Sequence, residues 1–217
     1  MNWVLNAFDF LCRGGPVMAP LVICSIVSIT VMIERYVFFG RVRGDSRALM
    51  DRVENSLALG KYQDAARACE REQTPLGDML ACGLKCSNPR HSERCMEEHA
   101  LKATPEFFKR LSSLDTIITI APLLGLLGTV WGMINSFHVL ARSGVSRPSG
   151  ITAGVAEALL ATATGLVIAI FTLIAFNYFQ DRVKQITAEI EMRSTQLSNL
   201  ISRMRVEPAR APEAQRV

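Results

Sequence analysis

Three long stretches of the chain are almost free of charged residues, and polar segments separate them. The stretches cover residues 14–33, 117–137 and 151–179, and Glu157 is the one charged residue within them. A helix needs about 20 predominantly apolar residues to cross the bilayer core of about 30 Å. The pattern therefore predicts an all-α membrane protein with three transmembrane helices.

The segment between the first two stretches, residues 34–116, is predicted to form several solvated helices. It holds fourteen basic and thirteen acidic residues, and apolar positions recur at helical spacing, as at Leu49, Val53 and Leu57. The residues expected to divide it are Gly60, Pro75, Asn88 with Pro89, and Pro105. We expect Pro105 to kink or break the last of these helices, which leads into the second span.

The third stretch shows no signal that would end its helix at residue 179. An apolar stripe continues through residues 180–205 at Val183, Ile186, Ile190, Leu197, Leu200 and Met204. Such a stripe needs a packing partner, either the helices of residues 34–116 or a neighbouring subunit. Residues 206–217, rich in Pro, Ala and charged residues, are predicted to be a disordered tail.

The basic residues predict the orientation in the membrane. One precedes the first span, fourteen lie between the first and second, two lie between the second and third, and seven follow the third. Because cytoplasmic segments carry the excess of Lys and Arg, residues 1–13 and 138–150 are predicted to be periplasmic and the other polar segments cytoplasmic. The first span lacks a clear cleavage site after it and is expected to remain as an anchor.

Composition excludes several classes of function. A net charge of +4 spread over 217 residues does not indicate a nucleic-acid-binding surface. Six cysteines in a chain of this length do not indicate a small disulfide scaffold. We find no nucleotide-binding glycine loop, no catalytic triad pattern and no paired catalytic acids, so we expect no enzymatic activity and no cofactor.

The second span has one face of small residues. At 100° per residue, Gly125, Thr129, Gly132 and Ser136 lie within about 60° of one another. Small faces let helix backbones approach closely in lipid, so plain helix packing explains this pattern as well as a pore does.

The third span divides into two halves around the helix. Its small or polar half consists of Gly154, Glu157, Ala158, Ala161, Thr162, Thr164, Gly165, Ala169 and Thr172. Its bulky half consists of Leu159, Leu166, Val167, Ile170, Phe171, Leu173 and Ile174, and Ile168 is the exception to the pattern. A carboxyl group within a span is by default a functional candidate, although Glu157 is close enough to the outer end for its side chain to reach the interface. Thr129 and Thr162 both fall near mid-membrane and are candidates for a shared ion path.

Two segments resemble a known family. Residues 121–133 (APLLGLLGTVWGM) and 154–166 (GVAEALLATATGL) resemble the two characteristic segments of the MotA/TolQ/ExbB proton-channel family, most closely its ExbB/TolQ branch. The order of the three spans along the chain also fits this family. In this family a proline usually follows the Ala-Ile pair of the third span, whereas Phe171 follows it here, so we expect a straighter inner end.

The resemblance implies a ring, a partner and a set of pore residues. The ring is a homopentamer around the single spans of an ExbD- or TolR-like dimer, whose membrane Asp carries the proton. Thr129, Glu157 and Thr162 match the pore-lining polar positions, and the secondary candidates for pore or packing are Gly125, Gly132, Ser136, Ala158, Thr164 and Gly165. Proton flow in the inner membrane would drive outer-membrane transport or envelope maintenance, with a TonB- or TolA-like protein as a further partner.

Two other functions compete with this one. A non-conducting membrane scaffold would use the same small faces for assembly alone. A metal or redox sensor would use the cluster Cys82, Cys86, His91, Cys95 and His99. The spacing of that cluster is not typical of a zinc site and Asn88-Pro89 interrupts it, so from the sequence we expect no bound metal.

Overall fold

The computed structural model describes residues 15–42, 44–86, 88–143 and 148–206, and helices account for nearly all of them. The helices are α1 Met18–Val42, α2 Ser46–Ala58, α3 Tyr62–Arg71, α4 Pro75–Lys85, α5 Pro89–Phe108, α6 Leu111–Ser143 and α7 Pro148–Val206. No strand occurs in these residues. Three of the helical segments are long and apolar enough to cross a membrane, which confirms the predicted fold class of all-α membrane protein. The predicted tail lies outside the described residues, apart from Val206.

The chain folds into two compact units, and the first contains the three apolar helical segments. It comprises the described residues up to Arg35 together with Arg110–Phe179. Side chains from α1, α6 and α7 meet in one buried cluster, Met18, Leu21, Ile117, Ala121, Ala161 and Ala169. Ile168, the exception to the two-sided pattern of the third span, packs against this cluster and so has a structural reason for its position.

The second unit, Tyr36–Lys109 with Gln180 and the residues after it, contains the short helices. Leu49, Val53 and Leu57 are buried on one face of α2, as their spacing predicts. Gly60, with a φ of +70°, lies in the turn between α2 and α3, and glycine adopts that conformation without steric cost.

Two prolines in the second unit begin helices. Pro75 is in the first turn of α4, whose cap Thr74 accepts a hydrogen bond from the Gly77 amide at 3.1 Å. Pro89 begins α5 in the same way, after the cap residue Asn88. Proline suits this position because the first amides of a helix have no partner within it.

The break before the second span does not lie at the predicted place. Pro105 is inside α5, which continues to Phe108, and the chain turns at Lys109 and Arg110. Arg110 has a φ of +61°, the left-handed conformation in which many helices end. Its guanidinium donates a hydrogen bond to the carboxylate of Glu34 in the same unit. The helix therefore continues for about one turn beyond Pro105, and it is the backbone conformation at Arg110 that ends it.

Helix α7 runs for 59 residues without interruption, about three times the length that a membrane span needs. It continues through Phe171, the position at which the resemblance described above would lead one to expect proline. Beyond Phe179 its apolar stripe is buried at Val183, Ile190 and Leu197. Within the second unit it contacts α2 through the hydrogen bond from Ser46 to Glu189, and α5 through Ser194 and Met96.

We expect Met96→Ala to lower the thermal unfolding midpoint of the purified protein. The Met96 side chain is fully buried and lies against Ser194, so truncation leaves a cavity that costs about 2–5 kcal/mol. Glu97→Ala, at the exposed next position of α5, is the control and should leave the midpoint within error. Equal midpoints for both variants would show that α5 does not pack as described.

Candidate functional site

The two segments that carry the family resemblance pack directly against each other. Gly125 of α6 lies against Thr162 of α7, and Gly132 lies further along α6 against Ala158. Residue numbers rise along α6 as they fall along α7, so the two helices are antiparallel. The candidate site is therefore the α6–α7 interface within one chain.

Glycine is required where these backbones come closest. A Cβ atom on Gly125 would lie 3.0 Å from Thr162 Cα and 3.1 Å from the carbonyl oxygen of Ala161. A Cβ atom on Gly132 would lie 2.7 Å from the carbonyl oxygen of Gly154. Real Cβ atoms essentially never lie closer than 3.0 Å to another heavy atom, so a side chain at Gly132 would separate the helices, and one at Gly125 would require the backbone of α7 to shift by a few tenths of an ångström. Gly165 is close to Ala121 in the same way.

Thr162 forms a hydrogen bond between the two helices. Its hydroxyl donates to the carbonyl oxygen of Gly125 at 2.9 Å, and its side chain is half-buried. A hydroxyl group has one hydrogen and two acceptor lone pairs, so the Thr162 oxygen still accepts hydrogen bonds from another group. Of the candidate residues, Thr162 combines a central position, a bond between the spans and remaining acceptor capacity.

Other hydroxyl groups of the two helices bond to their own backbone. Thr129 donates to the Leu126 carbonyl at 2.6 Å and Thr164 to the Leu160 carbonyl at 2.8 Å. Ser136, which is buried, donates to the Gly132 carbonyl at 2.9 Å. This is the ordinary arrangement of hydroxyl side chains in membrane helices, and a hydroxyl oxygen such as that of Thr129 keeps its acceptor lone pairs when its hydrogen is donated in this way.

Glu157 lies in a different place from the threonines. Its carboxylate contacts Gly15, in the turn just before α1, where any Cβ atom would collide with it. Gly15 has a φ of +71°, a second reason for glycine at this position. The Glu157 side chain is half-buried. The structure thus brings Thr162 to Gly125 and Glu157 to Gly15, and it does not join Thr129, Glu157 and Thr162 in one cluster of direct contacts.

A buried pair of hydroxyl groups links the first and third spans and was not predicted. Ser28 Oγ and Thr172 Oγ1 are 2.7 Å apart. Thr172 also lies 2.7 Å from the Ile168 carbonyl, and because its single hydrogen is donated there, Ser28 must donate to Thr172. Thr172 was already on the polar half of the third span. The residue that could have indicated this pair is Ser28, since it is a hydroxyl residue within the first apolar stretch.

The bulky half of the third span faces away from the rest of the chain. Its predicted members are all exposed: Leu159, Leu166, Val167, Ile170, Phe171, Leu173 and Ile174. The small members Gly154, Ala158, Ala161, Gly165 and Ala169 are buried. The predicted division into two faces is therefore present, and the small face packs on other helices of the same chain.

A sequence model of the MotA/TolQ/ExbB proton channel family matches residues 71–192. This range is more than half of the chain and includes both segments of the α6–α7 interface. The chain belongs to the MotA/TolQ/ExbB proton channel family. The predicted resemblance is thereby confirmed.

Similar proteins place the chain in the ExbB-like branch of this family. It is 31% identical to biopolymer transport protein ExbB-like 3 of Synechocystis sp., over 90% of this chain and 95% of that protein. It is 34% identical to ExbB-like 1 of the same organism, over 78% and 68% of the two chains. It is 30% identical to ExbB of Pseudomonas putida, over 86% and 59%. With three apolar helices, this ExbB-like chain is a multi-pass membrane protein.

The secondary candidates have packing contacts in this ExbB-like chain. Gly125, Gly132, Ser136, Ala158 and Gly165 are all buried between helices. Thr164 is half-buried and bonds to its own helix. Their contacts account for the small-residue pattern without a pore. The primary candidates Thr129, Glu157 and Thr162 are half-buried as well.

We expect Gly132→Ala to destabilise the α6–α7 interface. The added methyl group would meet backbone of α7, which cannot move aside as a side chain can. The measurement is the thermal midpoint of the protein in detergent, together with its elution volume, and we expect a clear decrease in the midpoint.

Gly40→Ala is the matched control, because no atom beyond its chain neighbours and its own helix backbone lies within 4 Å of a Cβ atom at that position. Alanine is favoured over glycine by about 1 kcal/mol in a helix, so this variant should be neutral or slightly more stable. If Gly132→Ala has the same thermal midpoint as Gly40→Ala, α6 and α7 do not approach each other as closely as described.

Proposed function

We propose that this chain is the ring-forming proton-channel subunit of an inner-membrane motor that converts proton motive force into mechanical work on the cell envelope. The work would be the energising of outer-membrane transport or envelope maintenance. The family is described as a proton channel family, and the relatives are named biopolymer transport proteins. The observation that carries the proposal is the Thr162 hydroxyl, held at the interface of the two matched segments. The chain would have no enzymatic activity of its own.

The exposed apolar surface supports assembly into a ring. Only 22%, 28% and 22% of the residues in the most apolar windows of the three spans are buried within the chain. The rest of that surface must meet lipid or other subunits. We propose a homopentamer, as the family resemblance implies, in which the second and third spans surround the partner.

The polar groups support a proton path shared with a partner. Glu157 is the one carboxyl group within the predicted spans, so a relay needs a second titratable group from elsewhere. We propose that it is the membrane Asp of an ExbD/TolR-like dimer. When this Asp is protonated it can donate to Thr162, whose own hydrogen is already committed to Gly125. Thr129 would supply a second acceptor, and Glu157 would set the electrostatic potential near the outer end.

Charge distribution supports the orientation. The cluster Arg35, Arg41, Arg43 and Arg47 directly follows the first span, as expected of a cytoplasmic side. We propose a periplasmic N-terminus and a cytoplasmic C-terminus in the bacterial inner membrane. A TonB- or TolA-like protein would then receive the force on the periplasmic side.

A non-conducting scaffold is the second candidate, and one observation favours it. Gly125, Gly132, Ala158 and Gly165 are all accounted for by packing within a single chain. A scaffold needs these contacts and does not need the Thr162 hydroxyl beyond one hydrogen bond.

Proton flux into proteoliposomes that contain the chain with its partner separates the two functions. Thr162→Val keeps the side-chain shape and removes the hydroxyl. We expect it to reduce flux about tenfold, which corresponds to the loss of roughly one hydrogen bond in the transport barrier. Thr162→Ser, which keeps the hydroxyl, should restore most of the flux. Glu157→Gln should also lower it.

Thr119→Val is the control for the flux measurement. Thr119 is an exposed threonine of α6 that bonds to its own backbone, so its replacement should leave flux unchanged. Size-exclusion chromatography must show that all variants assemble. Normal flux in assembled Thr162→Val and Glu157→Gln would refute the proposed polar path, and absence of flux in the wild-type complex would favour the scaffold.

A further inference from the structure

Helices α4 and α5 form a hairpin that brings three potential metal ligands together. Cys82 lies on α4, and Cys95 and His99 lie one turn apart on α5. Their ligand atoms all lie within 4.8 Å of one another. The hairpin itself is fixed by the buried hydroxyl of Ser92, which donates to the Gly83 carbonyl at 2.7 Å.

The turn at Asn88-Pro89 creates this cluster. In the sequence alone this turn interrupts the spacing of the ligands, because ligands on a single helix would need to follow its period. In the hairpin the turn reverses the chain and places Cys82 opposite Cys95. Cys86 and His91, also candidates from the sequence, fall outside the group of ligand atoms.

The two sulfur atoms are placed as a pair that can form a disulfide or, when both thiols are reduced, bind one ion. The sulfurs of Cys82 and Cys95 are in bonding contact, and their Cα atoms are 6.1 Å apart. This Cα separation accommodates a disulfide, and it also places two thiolates within reach of one metal ion. A tetrahedral ion with bonds of about 2.0–2.3 Å needs ligand atoms about 3.5–3.8 Å apart, so the two reduced thiolates would rotate away from each other to bind it.

His99 already has the hydrogen bond that orients a metal-binding imidazole. Its Nδ1 lies 3.0 Å from the backbone carbonyl oxygen of Cys95 and 3.8 Å from the Cys95 sulfur. When Nδ1–H donates to this carbonyl, Nε2 carries the free lone pair. Metal-binding histidines commonly donate their other ring nitrogen in this way.

A surface cavity next to the cluster leaves space for a fourth ligand. It has a volume of about 360 Å³ and is lined by Glu70, Asp78, Ala81, Cys82, Lys85 and His99. Glu70 is paired with Lys85. Asp78 lies one helical turn before Cys82 and is exposed, so its carboxylate or a water molecule is available for the fourth position.

The remaining cysteine of α3 is not a ligand. Cys69 is fully buried away from this cavity, and burial, together with Glu70 and Glu72, raises the pKa of its thiol to about 12. Burial therefore disfavours the thiolate form of Cys69, which is the form that binds metals.

We propose that Cys82, Cys95 and His99 bind Zn²⁺, with Asp78 or water as the fourth ligand. Two thiolates and an imidazole form a ligand set that favours zinc. Binding releases the two thiol protons and ties α4 to α5. The proposal requires reduced thiols, which the cytoplasmic location proposed above provides. It goes beyond proton conduction, and its test does not depend on that activity.

The test is metal analysis of the full-length protein, purified in detergent with a reductant and incubated with Zn²⁺ before desalting. We expect one zinc ion for each chain. Titration with Co²⁺, a spectroscopic probe for the same ligands, should give the absorption of a thiolate-bound ion. Cys82→Ser and Cys95→Ser should each abolish this band, and His99→Gln should weaken binding at least tenfold.

Cys86→Ser is the matched control, one helical turn from Cys82 and outside the cluster, and it should bind metal as the wild type does. The wild-type measurement does not depend on how any variant folds. A reduced wild type that binds neither ion would overturn the proposal. So would a Cys82–Cys95 disulfide trapped quantitatively from cells by acid quenching and alkylation, since the thiols would then be unavailable.

Discussion

The structure of the membrane-spanning unit depends on the absence of side chains where α6 and α7 meet. In lipid there is no hydrophobic force between apolar helices, so they associate through van der Waals contact and hydrogen bonds. Gly125 and Gly132 allow the backbones close enough for both. The bond from Thr162 to the Gly125 carbonyl exists only at this separation. The small size of the residues at this interface thus sets the distance between α6 and α7 and also the position of the Thr162 hydroxyl.

This use of the small residues leaves a particular surface for other molecules. Many of the side chains left exposed on the apolar part of α7 are bulky, such as Leu159, Phe171 and Ile174. The hydroxyls of Thr129 and Thr162 are satisfied as donors and remain acceptors. These two hydroxyl groups do not need another molecule to pair their hydrogens, and each can still accept a hydrogen bond.

Much of the fold follows from local rules that are visible in the sequence. The spacing of Leu49, Val53 and Leu57 predicts α2. Gly60 lies in a turn between helices and Pro75 lies in the first turn of a helix, because the backbone preferences of glycine and proline suit these positions. The two faces of the third span follow from the helical period. The period identifies a face but not the group it contacts, so neither the Gly125 partner of Thr162 nor the Gly15 partner of Glu157 was predictable. Ser28 was missed for a related reason, since its bond joins two helices. The sequence named Cys82, Cys95 and His99 as candidates but could not show that these three come together from two helices.

The contact between Gly128 and Ala161 has a consequence for how the family varies. A Cβ atom on Gly128 would occupy the space that the Ala161 methyl group already fills. Only one of these two positions can carry a methyl group while the helices keep their spacing. Relatives are therefore expected to exchange the pair, with alanine on the second span accompanied by glycine on the third. An alignment in which alanine or larger residues occupy both positions together would show that the helices can separate here.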